Sequence, residues 1–402
     1  MPPTSAADAT ARCLRPTTLL RVVGIDPPVN HDRVIDVSVE SLRDLADIET
    51  SWKDLESRAD HSFYLSWLWI GTWLRHLPKG ADPHVVIARA SDTVVGLAIV
   101  CRRGIWRLGP RGRTRWLLNE TGDPQFDRLF IEHNGILAER SSADPIATAC
   151  LEALTRRLRR SDELVLSGLD VDIETVARRA ACSAGLTAEV RVTDTAPWVD
   201  FAQVLRCGGD YRALLGRNTR QALSRAMRLY AERGPIEHRI METTSDALAA
   251  FNELISLHWS RWGRKGPFGN PGFRSFHEDL IACGVPMGAV RISRTQVGDR
   301  TIGVLYNFVH RGHVFNYQSG FLYEEDARLK PGLVSHVLAI EDSFLRGERS
   351  YDFGAGPAGH KSRLANAESA MTWISVGKDN LERRIEAEVR RARQKLRALV
   401  TR

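Results

Sequence analysis

The residues best suited to chemistry lie in the last third of the chain. Tyr351-Asp352-Phe353-Gly354-Ala355-Gly356 is followed, after a short loop, by His360-Lys361. A carboxylate ending an apolar stretch is placed to take a proton from an acceptor amine or hydroxyl. The same residue type also braces tight turns, so Asp352 carries both readings. Lys361, delivered by a glycine-rich loop, would set an ammonium against an oxyanion or a phosphate. Upstream, Arg328, Lys330, Gly332, Leu333 and Val334 form a loop running into a helix. A helix start offers unpaired N–H groups and the positive end of its dipole, which suits a pyrophosphate. Gly332 lets a phosphate approach closely, Arg328 and Lys330 add charge, and Pro331 removes one donor. The alternative is an ordinary proline-initiated helix. His258, Trp259, Arg261 and Trp262 crowd one helix end, where indoles and a guanidinium would line a sugar or amine pocket. Tyr317 and Gln318 lie on a strand expected to border the donor cleft. No Ser–His or Cys–His pairing asks for a covalent intermediate, so the acceptor would attack the donor directly.

These groups need elements to hold them. The second half reads as strand 236–243, helix 245–263, helix 270–284, and strands 287–295, 301–310 and 312–321. Helix 331–346, strand 350–354, a glycine-rich loop and strand 372–376 follow. Pro271 opens one helix, Gly284 and Gly347 stop two, and Arg311–Gly312 makes a tight hairpin. The first half reads as strand 34–39, helices 42–58 and 63–77, and strands 84–90, 93–103 and 128–132. Helix 144–160, strand 163–167, helix 173–184 and strand 188–193 complete it. Nearly the same order of elements is therefore read twice. A boundary near 194–197 divides a first domain, 31–195, from a second, 196–378, that holds the chemistry.

Residues 1–30 read as a loose tail and 379–402 as a basic amphipathic helix. Leu381, Ile385, Val389, Ala392, Leu396 and Leu399 recur every three or four positions, a stripe expected to pack on the body or to form a homodimer. A helix at 210–233 carries Arg212, Arg217, Arg220, Arg225, Arg228 and Arg233, which reads first as a solvated face and second as a phosphate or RNA surface.

With 402 residues the chain exceeds one ordinary core. Its net charge of +7 favours anionic partners such as CoA phosphates, nucleotides or tRNA. No apolar run approaches the ~20 residues of a membrane helix. The N-terminus lacks a secretory pattern, so a cytoplasmic location is expected. The six cysteines are scattered, which predicts reduced, mostly buried thiols rather than a disulfide framework or zinc ribbon.

Four stretches then carry a resemblance: Leu257-His258-Trp259-Ser260-Arg261-Trp262, Gly320-Phe321, Lys330-Pro331-Gly332-Leu333, and Tyr351-Asp352-Phe353-Gly354-Ala355-Gly356 with His360-Lys361. In order and spacing they resemble the CelD/BcsL-like acetyltransferases of the GNAT superfamily, linked to cellulose and exopolysaccharide synthesis. Phe63-Tyr64-Leu65-Ser66-Trp67 and Trp73 fit that family's N-terminal region, so the likeness spans roughly residues 35–378. It is similar in turn to the FemABX aminoacyltransferases, which share an Asp-Phe-Gly-like strand followed by a lysine. The resemblance implies an α/β fold of tandem GNAT units with mixed central sheets flanked by helices. It implies acyl-CoA as donor, no metal, and a sugar, polysaccharide precursor or small metabolite as acceptor. Of the GNAT phosphate-loop pattern only Gly332 matches, with Leu329 and Val334 at the other positions. Two alternatives stay open: an aminoacyl-tRNA-dependent transferase acting on a peptidoglycan precursor, and a binding protein whose GNAT folds have lost chemistry.

Overall fold

The computed structural model describes residues 34–105, 113–128, 131–264, 266–356, 359, 361–380, 383–385, 388, 389 and 392. The expected tail 1–30, His360, Leu381, Leu396 and Leu399 lie outside them. The strands are β1 Ile35–Ser41, β2 Pro83–Ala90, β3 Thr93–Ile105, β4 Arg113–Leu118, β5 Leu137–Ala138, β6 Glu163–Leu169 and β7 Thr187–Asp200. The second half adds β8 Ile236–Ile240, β9 Val290–Val297, β10 Arg300–His310, β11 His313–Phe321, β12 Ser350–Asp352 and β13 Ala367–Gly377. Helices of the first half are α1 Leu45–Arg58, α2 Trp67–Arg75, α3 Ala143–Arg157 and α4 Val171–Ser183. Those of the second are α5 Phe201–Arg206, α6 Tyr211–Leu214, α7 Arg217–Ala231, α8 Thr244–Trp262, α9 Pro271–Gly284 and α10 Pro331–Leu345.

All 13 strands join one sheet, in the order β1-β2-β3-β4-β6-β13-β7-β12-β11-β10-β9-β8, with β5 added on β3. The element order expected twice is present, but the two halves are not separate sheets. Strand β7 runs unbroken through the expected boundary at 194–197, and β13 inserts between β6 and β7, antiparallel to both. The last strand of the chain thus completes the sheet of the first half.

Alternation along the strands sorts side chains onto two faces. One face, beneath α1, α2, α8 and α9, is a core shared by both halves: Trp52, Phe63, Tyr64 and Trp69 pack with Phe251, Phe276, Tyr306 and Phe308. Phe63 stacks on Phe308 with ring centroids 4.1 Å apart and planes 10° from parallel. The opposite face carries two cores, one under α3 and α4 and one under α7 and α10. Aromatic burial of this kind contributes on the order of 1.5–3 kcal/mol per side chain, which locks the halves in register.

Several expectations need correction. Where a strand is expected at 128–132, Phe126–Arg128 is a helical turn and Ile131–Glu132 is irregular, with residues 129–130 outside the described ones. The missing strand is β4, whose Arg113 and Arg115 hide its pattern by pairing with Glu163. The basic helix 210–233 breaks at Leu215–Gly216 into α6 and α7. Arg212 pairs with Glu341 and Arg233 with Glu324, while Arg217, Arg225 and Arg228 stand exposed. Of the stripe, Ile385 and Val389 are exposed and do not pack on the body; among the described residues of that segment Arg383 is buried, donating to the Ser375 carbonyl at 2.8 Å. Cys101 and Cys150 are buried, but Cys182, Cys207 and Cys283 are exposed.

Glu163 is the electrostatic pin of β4, β6 and β13. Its carboxylate faces Arg113 at 2.9 Å, pairs with Arg115, and accepts from Ser375 Oγ at 2.8 Å. Burial works against its charge, yet the two guanidiniums hold it at about 2, below the ordinary 4.5. Its stabilising contribution is therefore complete above about pH 4.5 and is lost as pH falls toward 2. Glu163→Gln should cost about 3 kcal/mol near neutrality by removing the buried charge that Arg113 and Arg115 share. Urea unfolding across a pH series checks this: the gap to wild type should close on acidification, and a constant gap would mean the pairing is not its source.

Candidate functional site

Strands β11 and β12 run parallel but pair only over His313–Phe315 and Ser350–Asp352. Beyond that point β11 continues to Phe321, whereas the chain leaves β12 through Gly354, a left-handed position with φ 68°. A wedge opens between them, lined on one side by the free backbone edge of β11. Alternate residues there turn N–H and C=O groups into the gap. Against β10 the register shifts so that Tyr306 faces Gln318 and Asn307 faces Asn316, leaving Tyr317 as a bulge. Bulges re-aim strands beside clefts. The start of α10 closes the outer end of the wedge: a β carbon on Gly332 would lie 3.2 Å from the Phe321 ring.

The corresponding parallel pair of the first half, β4 and β6, is filled by its own chain. Asn119 Nδ2 donates to Asn134 Oδ1 at 2.7 Å and to the Gly135 carbonyl at 3.1 Å, while Asn134 Nδ2 donates to the Leu118 carbonyl. The gap between β4 and β6 is thus spanned by the chain's own side chains.

At the base of the open wedge, charged groups from both halves converge. Asp352 is buried; its Oδ1 accepts from the Gly354 amide at 2.6 Å, and its Oδ2 lies 3.2 Å from His133 Nε2. The other imidazole nitrogen, Nδ1, lies 2.9 Å from Asp170 Oδ1. Burial opposes the charge on His133, but hydrogen bonds to Asp170 and Asp352 hold its pKa well above 6.5. The residue sits at φ 47°, a left-handed conformation that non-glycine residues hold only where the surroundings enforce it. Beside it, Glu132 Oε1 accepts from the Ala355 amide at 3.0 Å, and its carboxylate occupies the space a β carbon on Gly354 would need. Burial and the nearby Asp352 push Glu132 up to about 7. Lys361 Nζ donates to the carbonyls of Gly354 and Ala355 at 3.2 and 3.1 Å. Burial pulls its pKa down, with Glu132 and Asp352 opposing.

Asp352 and Lys361 thus meet at one turn, as the sequence pattern anticipates, though both oxygens of Asp352 are already engaged. Gly332, Leu333 and Val334 form the first turn of α10, with Val334 buried and Lys330 and Arg328 exposed. Arg328 is folded back on Asp326 at 2.8 Å, so its charge is partly spent there. Tyr317 points its ring into the shared aromatic core, 5.0 Å from His277 and 4.9 Å from Phe308, while Gln318 remains half-buried. His258 packs on Phe268 at 4.9 Å, and Trp259 rests against the core. Arg261 and Trp262 are exposed at the end of α8.

Glu132, His133 and Asp170 were not foreseen. Glu132 ends the strand expected at 128–132, and His133 and Asp170 fall outside the expected elements. One local signal exists: Asp170 occupies the N-cap of α4 yet its side chain does not cap that helix, because it is drawn to His133. That competition is visible only in three dimensions. Among the described residues no group of His, Cys, Asp and Glu is arranged to hold a metal ion, and no helix is long and apolar enough to cross a membrane.

Residues 217–362 match the family model of the acetyltransferase (GNAT) domain. None of the curated proteins matches the sequence significantly. Among solved structures, the chain is similar to the C-terminal domain of a putative lysylphosphatidylglycerol synthetase from Agrobacterium fabrum. That similarity has a TM-score of 0.51 and 11% identity, over 86% of this chain and 96% of that one. It is likewise similar to FemX, with TM-score 0.52 and 11% identity over 83% of this chain and 96% of that one. L-PGS from Bacillus licheniformis gives a TM-score of 0.50 and 11% identity over 88% and 97% of the two chains. The matched stretch gives residues 217–362 a GNAT acetyltransferase domain, which supports a transferase enzyme, and the solved structures show that the fold is shared along most of the chain.

Proposed function

We propose that the enzyme moves an acyl group, acetyl in the simplest case, from acyl-CoA to an amine or hydroxyl of a sugar, polysaccharide precursor or small metabolite. The observation that carries this reading is the wedge between β11 and β12, opening onto the Gly354 turn where Glu132 and Lys361 meet. The donor's thioester would lie along the free edge of β11, with its phosphates at the first turn of α10. The acceptor nitrogen or oxygen attacks the thioester carbon, its proton passes to Glu132, and the CoA sulfur leaves with the bonding pair. Asp352 serves as a brace rather than a base, since its oxygens are held by the Gly354 amide and His133. Lys361 supports the turn and neutralises charge at its base. The second half is the catalytic domain, and the reaction runs in the cytoplasm, where acyl-CoA is made. The resemblance to CelD/BcsL-like proteins favours a saccharide acceptor.

One observation favours a second reading. The chain shares its fold along 83% or more of its length with FemX, with L-PGS and with the C-terminal domain of the putative lysylphosphatidylglycerol synthetase. On the resemblance to FemABX enzymes, the donor would then be an aminoacyl-tRNA.

Because the Glu132 carboxyl stands at about 7, its basic form grows as pH rises through neutrality. Turnover of acetyl-CoA with glucosamine, followed as released thiol, should rise across that range. Glu132→Gln should lose at least tenfold in kcat and that limb of the profile; Lys361→Ala should lose about tenfold without the change of profile. A Glu132→Gln enzyme with the wild-type profile would remove Glu132 from the chemistry.

The donors separate by salt. CoA offers a compact set of phosphates, whereas tRNA binding falls by nearly one log unit per log unit of salt for each phosphate contacted. CoA should bind with weak salt dependence. Gly332→Glu should abolish that binding by placing bulk and negative charge at the first turn of α10. Reversing Arg217, Arg220 and Arg225 to Glu should leave CoA binding unchanged. Steep, salt-dependent binding of charged tRNA that vanishes in the arginine-reversed variant, with no CoA binding, would replace the first reading by the second.

A further inference from the structure

Just outside the wedge, the surface carries aromatic rings that belong to no core. Trp262 is 67% exposed and Tyr323 54% exposed, among the most exposed large apolar side chains of the protein. They come from the end of α8 and the segment after β11. The Arg261 guanidinium lies over both, 4.7 Å from the Tyr323 ring centroid and 5.4 Å from that of Trp262. Behind them Arg264 lies 4.8 Å over Trp259. Several other arginines of this half are tied to carboxylates: Arg212 to Glu341, Arg233 and Arg300 to Glu324, Arg294 to Glu253, Arg328 to Asp326. Among the described residues, Arg261 and Arg264 make no such pair and meet rings instead.

This row is continuous with the wedge. The Tyr323 ring lies 6.4 Å from Phe321, the last residue of β11, and Phe321 touches the Gly332 position at the start of α10. A row of exposed π faces interleaved with guanidinium, leading away from a phosphate-sized helix start, suits a flat, electron-rich ring attached to phosphate. Nucleobases stack on such surfaces, and arginine adds a cation–π contact. A sugar would need acceptors beside the rings for its hydroxyls, and nearby Glu324 is already held by Arg233 and Arg300.

We propose that Tyr323, Arg261 and Trp262 form the subsite for the adenosine end of the donor. The proposal rests on the reading that the donor occupies the β11–β12 wedge. It holds for either donor class, because CoA ends in a 3′-phosphorylated adenosine and tRNA ends in a 3′-terminal adenosine. It also assigns Trp262 and Arg261 to the donor, leaving the acceptor to the side of Glu132.

Calorimetry on the full chain tests this with CoA, 4′-phosphopantetheine, which lacks adenosine, and a tRNA acceptor-stem minihelix ending in CCA. Trp262→Ala and Tyr323→Ala should each weaken binding of the adenosine-bearing donor about tenfold and leave 4′-phosphopantetheine unchanged. Trp262→Phe and Tyr323→Phe keep a ring and should restore binding, which separates stacking from any loss of fold. Weakening confined to CoA identifies that donor, and weakening confined to the minihelix identifies tRNA; both support the subsite. Alanine variants that bind the donor like wild type overturn the subsite while the donor reading stands. So do variants that weaken CoA and 4′-phosphopantetheine equally. Wild-type protein that binds neither CoA nor the minihelix overturns the donor reading and the subsite with it.

Discussion

His133 presents one ring nitrogen to Asp170 and the other to Asp352, and much of the site depends on that ring carrying a proton. Three carboxylates, Glu132, Asp170 and Asp352, gather where the chain leaves β12. At the ~4 Å spacing of close neighbours and the intermediate dielectric near a protein surface, like charges repel by a few kcal/mol per pair. The His133 imidazolium and the Lys361 ammonium offset this, the first by bridging two carboxylates and the second by gripping the Gly354 and Ala355 carbonyls. Glu132 is left as the group whose charge is least compensated, which is why burial and Asp352 raise it toward neutrality. A carboxyl with that property follows from the clamp rather than from Glu132 alone.

The clamp spans the two halves, so it needs them fixed to within a fraction of an ångström. Two features do this. The sheet is continuous, with β13 returning from the end of the chain to lie between β6 and β7. The aromatic core beneath α1, α2, α8 and α9 draws from both halves, with Phe63 stacked on Phe308. The first half has its own parallel pair, but Asn119 and Asn134 fill it, so its contribution to the site is a carboxylate, an imidazolium and rigidity.

Most of the elements were legible in the sequence because alternation, glycine stops and the Arg311–Gly312 turn are local signals; Arg311 and Gly312 do adopt left-handed φ values of 51° and 80°. The turn holding Asp352 and Lys361 was legible for the same reason. What escaped was non-local. Strand β4 reads as charged because its arginines answer Glu163, some 50 positions away. The partners of β13 lie in the other half, beyond any window of periodicity. Glu132, His133 and Asp170 acquire a role only when β12 arrives beside them. In the stripe after residue 380 the period is helical, but among the described residues the side chain that the body buries is Arg383, drawn by the Glu163 charge and the Ser375 carbonyl.

The protonation state of His133 is the point at which the account is most exposed. Nitrogen-15 NMR of the histidine rings, with the His133 signals assigned by their loss in His133→Gln, reads it directly between pH 5 and 9. Both ring nitrogens should remain protonated through neutrality, with a midpoint well above 6.5. A ring that titrates near 6.5, as an unpartnered histidine does, would contradict the clamp and the site built upon it.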